Sequence, residues 1–409
     1  MTDQIVIAPF LAAFLTAIGT LATRKFPVAQ NGISFAGGTL YAMLSFVLLT
    51  ETQGSILTYQ LSSWPAPYGI TFVADALSGF MLGMTAIVFY PCLIYSLKYM
   101  DRFAHSVSYQ PLFHFMTAGV TGAFLTGDLF NLFVWFEVIL MSSYVLVAFY
   151  DMKEQTLVAF KYVVINLVGS AMMLVAIGGI YASTGTLNMA DLAVRLADPA
   201  ANNVAVAPVL GFSALLFAVF ALKAGIAPFQ FWVPEAYHAA PAPVAAVLSG
   251  AVKKVGIYTI IRLYLGIFSN ASLTGLFGIT RFGELFGPIM ILLGSISIVI
   301  GGFGAASRQN IEGMLAYSSI GQVGFIMIPI GLSALIPSIA PLAIIAALVY
   351  ALNHAVSKSM LFMIAGNIKK ATGSTEYAKL GGISSKMYLT SFTFLIGVLS
   401  LVGFPPLLG

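Results

Sequence analysis

Residues 127–150 read GDLFNLFVWFEVILMSSYVLVAFY, which is apolar almost throughout and long enough to cross a bilayer as a helix. A single carboxylate, Glu137, lies near the middle of this stretch. At about 1.5 Å of helix rise per residue, Glu137 is ~15 Å from either end and therefore near the bilayer midplane. A charge at that depth costs at least about 2.5–3.5 kcal/mol, so we expect Glu137 to have a partner or a role in transport.

The composition places the chain in a membrane. Of its 409 residues 59% are hydrophobic and only 8% are charged, and the mean hydropathy is +0.97. Soluble domains carry about 25% charged residues, so we predict an all-α polytopic membrane protein. The net charge of +4 is typical of basic cytoplasmic loops and does not indicate nucleic-acid binding. The single cysteine, Cys92, excludes an internal disulfide and any multi-cysteine metal or iron–sulfur site.

Apolar segments of helical length recur along the chain and predict about twelve transmembrane helices. They lie near residues 5–22, 33–50, 73–97, 111–126, 129–149, 157–182, 207–233, 242–268, 285–305, 313–334, 340–366 and 388–409. The last segment reaches Gly409 without a flanking charge, so we expect further spans beyond it. Basic residues are concentrated in the loops after odd-numbered spans, which predicts an external N-terminus and cytoplasmic odd loops.

The seventh span is irregular. Its sequence, ALKAGIAPFQFWVPEAYHAAPAPV at residues 221–244, contains four closely spaced prolines. Proline removes a backbone donor and clashes with the preceding turn, so the helix should break or kink near Pro228. Broken helices at membrane depth are tolerated only inside protein or beside water, and they mark ion sites in transporters. The simpler alternative is a kinked span that ends in a proline-rich loop.

Ionisable side chains inside predicted spans indicate where ions move. Besides Glu137 they are Lys223, Lys253 or Lys254, His354 and Lys358. Lys223 lies just before the predicted break, where freed backbone carbonyls could solvate its ammonium. Lys253 and Lys254 are neighbours on a helix and point about 100° apart. His354 and Lys358 are four residues apart and share a helix face, which would let them exchange a proton directly or through one water.

One acid and several lysines on buried helices resemble a proton relay. Each candidate also has a purely structural explanation. Glu137 could belong to a Glu–Lys pair that only holds helices together, and His354 could be an ordinary interhelical hydrogen-bonding residue. Lys253 could extend along the helix to the membrane interface. His238, in the proline-rich segment, could be a plain loop histidine, so Lys253 and His238 are secondary candidates.

Several catalytic and nucleotide-binding motifs are missing from the sequence. There is no GxxxxGK[ST] P-loop, no GxGxxG between a strand and a helix, and no HExxH. We therefore predict no cofactor and no bound metal. The chain is expected to be a transporter rather than a catalyst, with its energy supplied by an ion gradient or by a redox partner elsewhere.

Five ordered motifs resemble the antiporter-like subunit family. They are TGDLFNLFVWFEVILMSSYVLVAF, KAGIAPFQFWVPEAYHAAPAPVAAVLSGAVKKVGIY, RQNIEGMLAYSSIGQVGFIM, NHAVSKSMLFMIAGNI and SLVGFPPLLG. That family includes the large pump subunits of respiratory complex I, of membrane-bound hydrogenases and of Mrp-type Na+/H+ antiporters. The resemblance covers roughly residues 70–409, and the GDLFNLFVWFE version is most similar to the D-type branch of the Mrp antiporters and to its hydrogenase counterparts.

The resemblance implies a fold of about fourteen helices when complete. N-terminal helices in residues 1–110 would precede two inverted five-helix repeats, at 111–268 and 285–409, each with one broken helix. Glu137 would be the acid of the fifth span, at the interface to a neighbouring subunit. A further lysine is expected a few residues beyond the GFPPLLG-type motif, after the end of this sequence.

The resemblance also implies a role for each buried base. Lys223 would exchange partners with Glu137, and Lys254, rather than Lys253, would be the central lysine of the eighth span. His354 and Lys358 match the HAxxK of the eleventh span, which would link to the second half of the protein.

Together these features predict a proton-translocating subunit of a multisubunit Na+/H+ antiporter in the cell inner membrane or plasma membrane of a prokaryote. Its expected partners are other membrane subunits, Na+ and H+, and the lipid bilayer. The alternative is a proton-pumping subunit of a redox-driven complex I-like or hydrogenase complex. A purely structural assembly subunit is a third possibility, which the buried charges disfavour.

Overall fold

The computed structural model describes residues 3–101, 108–150, 153–270, 272–276 and 279–407; the expected end of the last span at Gly409 lies outside them. The described chain is mostly helical. The helices are α1 (Ala8–Ala22), α2 (Pro27–Glu51), α3 (Ala76–Tyr99), α4 (Tyr109–Leu125), α5 (Leu129–Val147), α6 (Lys153–Thr184), α7 (Met189–Ala197), α8 (Val206–Ala224), α9 (Trp232–Ala239), α10 (Ala242–Ile267), α11 (Phe282–Ala306), α12 (Ile311–Leu335), α13 (Ala340–Thr372) and α14 (Tyr388–Val402). Short helical turns at Asp3–Val6, Leu61–Ser63, Phe268–Asn270, Pro337–Ile339, Tyr377–Lys379 and Ile383–Lys386 connect them.

Within the described ranges, nine helices are long and apolar enough to cross a membrane, and α1 and α14 are shorter apolar helices. The chain is therefore an all-α polytopic membrane protein. Each of the predicted apolar segments overlaps one of the helices, because hydropathy over a window of about 19 residues reports directly on burial in lipid. That all twelve segments cross the bilayer stays a prediction.

Two small antiparallel hairpins lie in loops that the charge pattern predicts to be external. β1 (Leu57–Gln60) pairs with β2 (Thr71–Ala74), with Leu57 opposite Ala74. β3 (Ser272–Leu276) pairs with β4 (Ile279–Arg281). The β1–β2 hairpin leads directly into α3, whose first turn is capped by the Asp75 carboxylate.

The predicted break in the seventh span is present, between α8 and α9. Helix α8 ends at Ala224, and Gly225 takes the left-handed conformation at φ 65°. The N–H of Ile226 then bonds to the carbonyl of Ala221 at 2.9 Å, which closes the helix end in a Schellman-type arrangement. Pro228 has no N–H for the carbonyl of Ala224, so the helix cannot continue past it.

Gly225, Ile226 and Ala227 at the break are buried, whereas Pro228 is exposed. Trp232 Nε1 donates to the carbonyl of Leu222 at 2.8 Å, and the N–H of Ala227 bonds to Ser297 Oγ of α11 at 2.9 Å. The Ala227 N–H, which lies beyond the last helical turn, thereby has a partner, and the Leu222 carbonyl accepts from Trp232 as well as from the N–H of Gly225. A second helix end of the same kind follows α14, where Gly403 is left-handed at φ 82°.

Helix α10 forms the centre of the molecule and is almost wholly buried. It packs against α3, α8 and α13. It contains two π-helical stretches, Leu248–Val252 and Ile261–Ile267. Such stretches are frequent at functional sites because the extra residue per turn rotates the side chains that follow. The first of them immediately precedes Lys253 and Lys254.

Candidate ion-transfer site

Four basic side chains meet in the protein interior: Lys253, Lys254, His354 and Lys358, all with no exposed surface. Nζ of Lys254 lies 2.6 Å from Nδ1 of His354 and also donates to the carbonyl of Ser249 at 2.6 Å. A lysine amine and an imidazole at that distance share one hydrogen bond, so a proton can pass between them without an intervening water.

Helix α12 supplies carbonyl oxygens to the other two amines. Lys358 Nζ donates to the carbonyl of Leu315 at 3.1 Å, and Lys253 Nζ donates to the carbonyl of Ser319 at 3.2 Å. The Ser319 hydroxyl also donates to the Leu315 carbonyl at 2.9 Å. The hydroxyl oxygens of Ser249 and Ser319 lie 3.2 Å apart. Hydrogen bonds therefore connect Leu315, which accepts from Lys358, through Ser319 to Ser249. The carbonyl of Ser249 in turn accepts from Lys254.

The local sequence explains this convergence. His354 and Lys358 are one turn apart on α13 and project from the same face towards α10 and α12. Lys253 and Lys254 diverge because neighbours on a helix point about 100° apart: Lys253 contacts α12, whereas Lys254 contacts α13. The alternative that Lys253 extends to the membrane interface is wrong, since its side chain is completely buried.

Lys223 lies apart from this cluster, in the last turn of α8. Its side chain is only 5% exposed, and Nζ donates to Ser170 Oγ at 3.0 Å and to the carbonyl of Asn166 at 3.3 Å. Both partners belong to α6. The expectation that carbonyls freed at the break solvate this ammonium is therefore wrong, because its hydrogen bonds go to α6.

Glu137 lies on α5 and is partly exposed. Asp128 caps this helix by accepting from the N–H of Asn131 at 2.7 Å, and burial raises the pKa of the Asp128 carboxyl despite that bond. Within the described part of the chain, Oε1 of Glu137 has no hydrogen-bond partner, and Glu137 forms no ion pair. Its neighbour Phe136 lies under the Lys223 ammonium, with Nζ 5.9 Å from the ring centre. Glu137 and Lys223 therefore lie in the same region, and no hydrogen bond or ion pair joins them in the described part of the chain.

A small cavity of about 10 Å³ lies beside Lys223, lined also by Asn166, Phe136 and Ile139 among others. That volume suffices for about one water molecule beside polar partners. On the other side of the break, Cε of Lys253 lies 3.0 Å from where a Cβ on Gly225 would stand. Lys253 is therefore the member of the central cluster that packs against the end of α8, two residues from Lys223.

Comparison with known proteins gives the family. The sequence matches the model described as NADH:quinone oxidoreductase/Mrp antiporter, transmembrane, over residues 126–409. The chain belongs to this family. The matched region contains every predicted site residue, including the secondary candidates Lys253 and His238.

Relatives within this antiporter family extend over the whole chain. The D subunit of the Na(+)/H(+) antiporter of Alkalihalophilus pseudofirmus is 35% identical over 409 residues, which is 100% of this chain and 78% of that protein. The protein of the same name from Bacillus subtilis is 33% identical over 408 residues, again 100% of this chain and 78% of the relative.

Two solved structures share the fold. A chain of the Mrp complex from a Dietzia species superposes with a TM-score of 0.84 at 27% identity, covering 99% of this chain and 71% of that one. A chain of the membrane-bound sulfane sulfur reductase, an archaeal respiratory membrane complex, gives a TM-score of 0.87 at 27% identity, covering 98% of this chain and 79% of that one.

In this family member, His238 lies away from the central cluster. Its side chain is 53% exposed and Nδ1 lies 3.1 Å from Glu312, which is buried at the start of α12. Glu312 also pairs with Lys369 at 3.0 Å and accepts from Thr375 at 3.2 Å. Sequence reasoning missed Glu312 as a candidate, although it lies at the edge of an apolar span within the quoted motif RQNIEGMLAYSS.

A second missed pair is Asp75 with Arg262. The guanidinium binds both carboxylate oxygens, at 2.5 and 2.8 Å, and also donates to Ser78 Oγ at 3.0 Å and to the Tyr258 hydroxyl at 3.1 Å. Both charges lie inside predicted spans, near 73–97 and 242–268. The rule that singled out Glu137, a charge within an apolar run, would also have found them.

Proposed function

We propose that this chain is the D-type, proton-carrying subunit of a multisubunit Na+/H+ antiporter in the cell inner membrane or plasma membrane of a prokaryote. The observation that carries the proposal is the buried contact between Lys254 and His354, linked through Ser249 and Ser319 to the partner of Lys358. The names of the curated relatives support the assignment.

The electrostatics of the cluster support a transfer role over a structural one. Three amines and an imidazole lie together in the interior: Lys254 contacts His354, and Lys253 and Lys358 both donate to carbonyls of α12. In the described ranges, no carboxylate lies within ion-pair distance of any of them. Neighbouring positive charges repel, so a proton that arrives at one amine favours departure of a proton from the next.

Glu137 would couple this chain to its neighbour. Exposed apolar residues surround it on the same face of α5, including Val134, Met141 and Val145. A partly exposed carboxylate in such a face fits contact with another membrane subunit of the complex. A membrane potential of 100 mV acts on each transferred charge with about 2.3 kcal/mol, enough to bias a relay more than tenfold.

The finer architecture belongs to the same proposal. All twelve apolar segments would cross the bilayer, with N-terminal helices in 1–110 followed by two inverted repeats at 111–268 and 285–409. The break between α8 and α9 and the left-handed end of α14 at Gly403 would be the two broken helices. The remaining partners would be Na+, H+, lipid and other membrane subunits.

A redox-driven proton pump is the second candidate. The similarity to a chain of an archaeal respiratory membrane complex favours it. The same buried groups would then carry protons, but the energy would come from electron transfer in other subunits. Purification of the native complex distinguishes the two: iron–sulfur subunits among the co-purified proteins would support the pump, and their absence with Na+-driven proton movement supports the antiporter.

The relay is tested in proteoliposomes that contain the purified complex. Glu137→Gln is expected to lower Na+-driven proton movement about 100-fold, since loss of a positioned proton-transfer group costs about 10²–10⁴-fold. Glu235→Gln is the matched control, because Glu235 is 47% exposed and pairs with Lys161 at the surface. Full transport after separate neutralisation of Glu137, Lys223 and Lys254 would leave only a scaffolding role.

A further inference from the structure

A cavity of about 460 Å³ lies beside the β1–β2 hairpin, on the face that the loop charges predict to be external. Its lining includes Thr58 and Val73 of the hairpin, Asn188 at the start of α7, and Tyr258 and Arg262 of α10. The volume is within the range of about 300–1,000 Å³ found for binding clefts. It is formed by segments far apart in sequence and is separate from the central cluster.

The Asp75–Arg262 ion pair lines the inner part of this cavity. Both side chains are about one-fifth exposed, Arg262 at 21% and Asp75 at 23%. The pair is fixed from several sides: the N–H of Ser78 bonds to Asp75 at 2.9 Å, and the guanidinium lies 5.2 Å from the ring centre of Tyr258. A bidentate ion pair with these additional contacts is expected to keep a single geometry.

The pair is also connected towards the protein interior. Arg262 donates to the Tyr258 hydroxyl, which in turn donates to the carbonyl of Phe124 at 2.8 Å and is only 2% exposed. Tyr258 is four residues after Lys254 on α10, so the two backbone positions share a helix face about 6 Å apart. Lys254, Tyr258 and Arg262 therefore follow one another at intervals of four residues along one side of α10, and the last two line the cavity.

We propose that this cavity is an external vestibule through which water-borne protons reach the buried amines, and that Asp75 and Arg262 form the gate at its inner end. A guanidinium does not give up its proton at physiological pH. It is thus a fixed positive charge in the path of protons, a device that excludes cations in other membrane pores. Asp75 partly neutralises Arg262, while Ser78 and Tyr258 also bind the guanidinium and keep it in the path when Asp75 is neutralised. The inference rests on the proposed function, since it assumes that the amines carry protons.

The vestibule is tested by blocking it in the assembled complex. The Thr58→Cys variant, whose changed position is exposed at the cavity, is labelled from outside with a bulky, positively charged, membrane-impermeant thiol reagent. Ser63→Cys is the matched control, exposed in the same loop but not part of the cavity lining. The native Cys92 is buried and serves as an unlabelled background.

Labelling at Thr58→Cys should lower Na+-driven proton transport about tenfold, because a positive charge fixed in the cavity repels incoming protons. Labelling at Ser63→Cys should leave the rate unchanged. The proposal is overturned if labelled Thr58→Cys transports normally, or if the reagent labels Ser63→Cys but cannot reach Thr58→Cys. Transport by the unlabelled complex tests the proposed function separately, so either failure can be recognised.

The gate is tested by comparing the effects of neutralising Arg262 and Asp75 on proton leak and transport. Arg262→Gln removes the positive barrier and should raise the passive proton leak about tenfold, whereas Asp75→Asn keeps the barrier and should slow transport without a leak. A merely structural pair would be disrupted equally by both changes. Arg195→Gln, in the surface pair with Asp191 at 3.0 Å, is the matched control and should not leak. Equal leak from Arg262→Gln and Asp75→Asn would overturn the gate.

Discussion

Nζ of Lys254 lies 2.6 Å from Nδ1 of His354, a residue 100 positions later in the chain, and neither side chain is exposed. The two helices that carry them, α10 and α13, pack side by side in the centre of the molecule. A basic pair in such a place has no structural advantage over a hydrophobic pair of the same size, because each partner needs solvation that the interior lacks. We therefore propose that the pair is present because it transfers protons.

The first prediction concerns His354. His354→Gln keeps a hydrogen-bonding side chain beside Lys254 but cannot accept a proton, so we expect Na+-driven proton transport to fall about 100-fold. Acidification measured in proteoliposomes gives the rate. His114→Gln is the control, since His114 is equally buried and bonds to Ser34 at 2.8 Å outside the relay. A normal rate in His354→Gln would remove the imidazole from the route.

The second prediction concerns stability. Lys253 is completely buried, and in the described part of the chain no carboxylate pairs with it. Replacement of buried charge by a hydrophobic residue of similar volume is often neutral or stabilising, by about 1–4 kcal/mol for buried ion pairs. Lys253→Met should therefore keep or raise the Tm of the purified complex while it slows transport.

Lys161→Met is the control for this experiment, because Lys161 is 52% exposed and its surface pair with Glu235 should contribute less than about 1 kcal/mol. Its Tm and its transport rate should both stay near those of the native complex. A clear decrease in Tm for Lys253→Met would mean that the amine is part of the structural core, and the transfer role assigned to it would fail.

The third prediction concerns the break after α8. Gly225 is left-handed at φ 65°, and a Cβ there would stand 2.5 Å from Val233 and 3.0 Å from Lys253 Cε. Gly225→Ala should destabilise the complex by more than about 1 kcal/mol and slow transport, because it strains the break and displaces Lys253. Thermal unfolding and the transport rate are measured together.

Gly211→Ala is the matched change within α8, where a new Cβ would meet nothing within 4 Å. It should be neutral or stabilise the helix by about 0.5–1 kcal/mol. If the two alanine variants behave alike, the geometry of the break has no special importance for either stability or transport.

The fourth prediction concerns Glu312, which binds His238, Lys369 and Thr375 from a buried position. Glu312→Gln removes the shared negative charge and should destabilise the complex by about 1–3 kcal/mol, the usual cost of leaving buried polar partners without their bonds. Glu376→Gln is the control, since its pair with Lys379 is exposed on both sides. Equal Tm values for the two variants would contradict a structural role for the Glu312 cluster.

Much of the fold was predictable because its signals are local. The apolar segments coincide with helices, and the prolines after Lys223 indicated the broken helix. The end of that helix was placed near Pro228, however, whereas it falls at Ala224, where Gly225 caps it. A proline acts on the turn before it, and the helix then ends where a left-handed residue can satisfy the last carbonyls.

The candidate site was predictable residue by residue but not contact by contact. Burial of Lys254, His354 and Lys358 followed from their positions in apolar spans. The contacts of Lys223 with α6 could not be predicted from the sequence, because the two partner residues lie more than fifty residues away in the chain. The pairing of Asp75 with Arg262 was missed for the same reason, since ion pairs across 187 residues leave no periodic pattern.

Local sequence was enough to establish the class of the protein, the approximate positions of its helices and the depth of its ionisable groups, because hydropathy and helix rise are properties of short stretches. The contacts between the ionisable side chains, in contrast, were decided by the packing of the helices. Adjacent lysines differ by about 100° in direction, so the rotation of α10, set by its packing and its π-helical turn, directs Lys254 to His354 and Lys253 to Ser319.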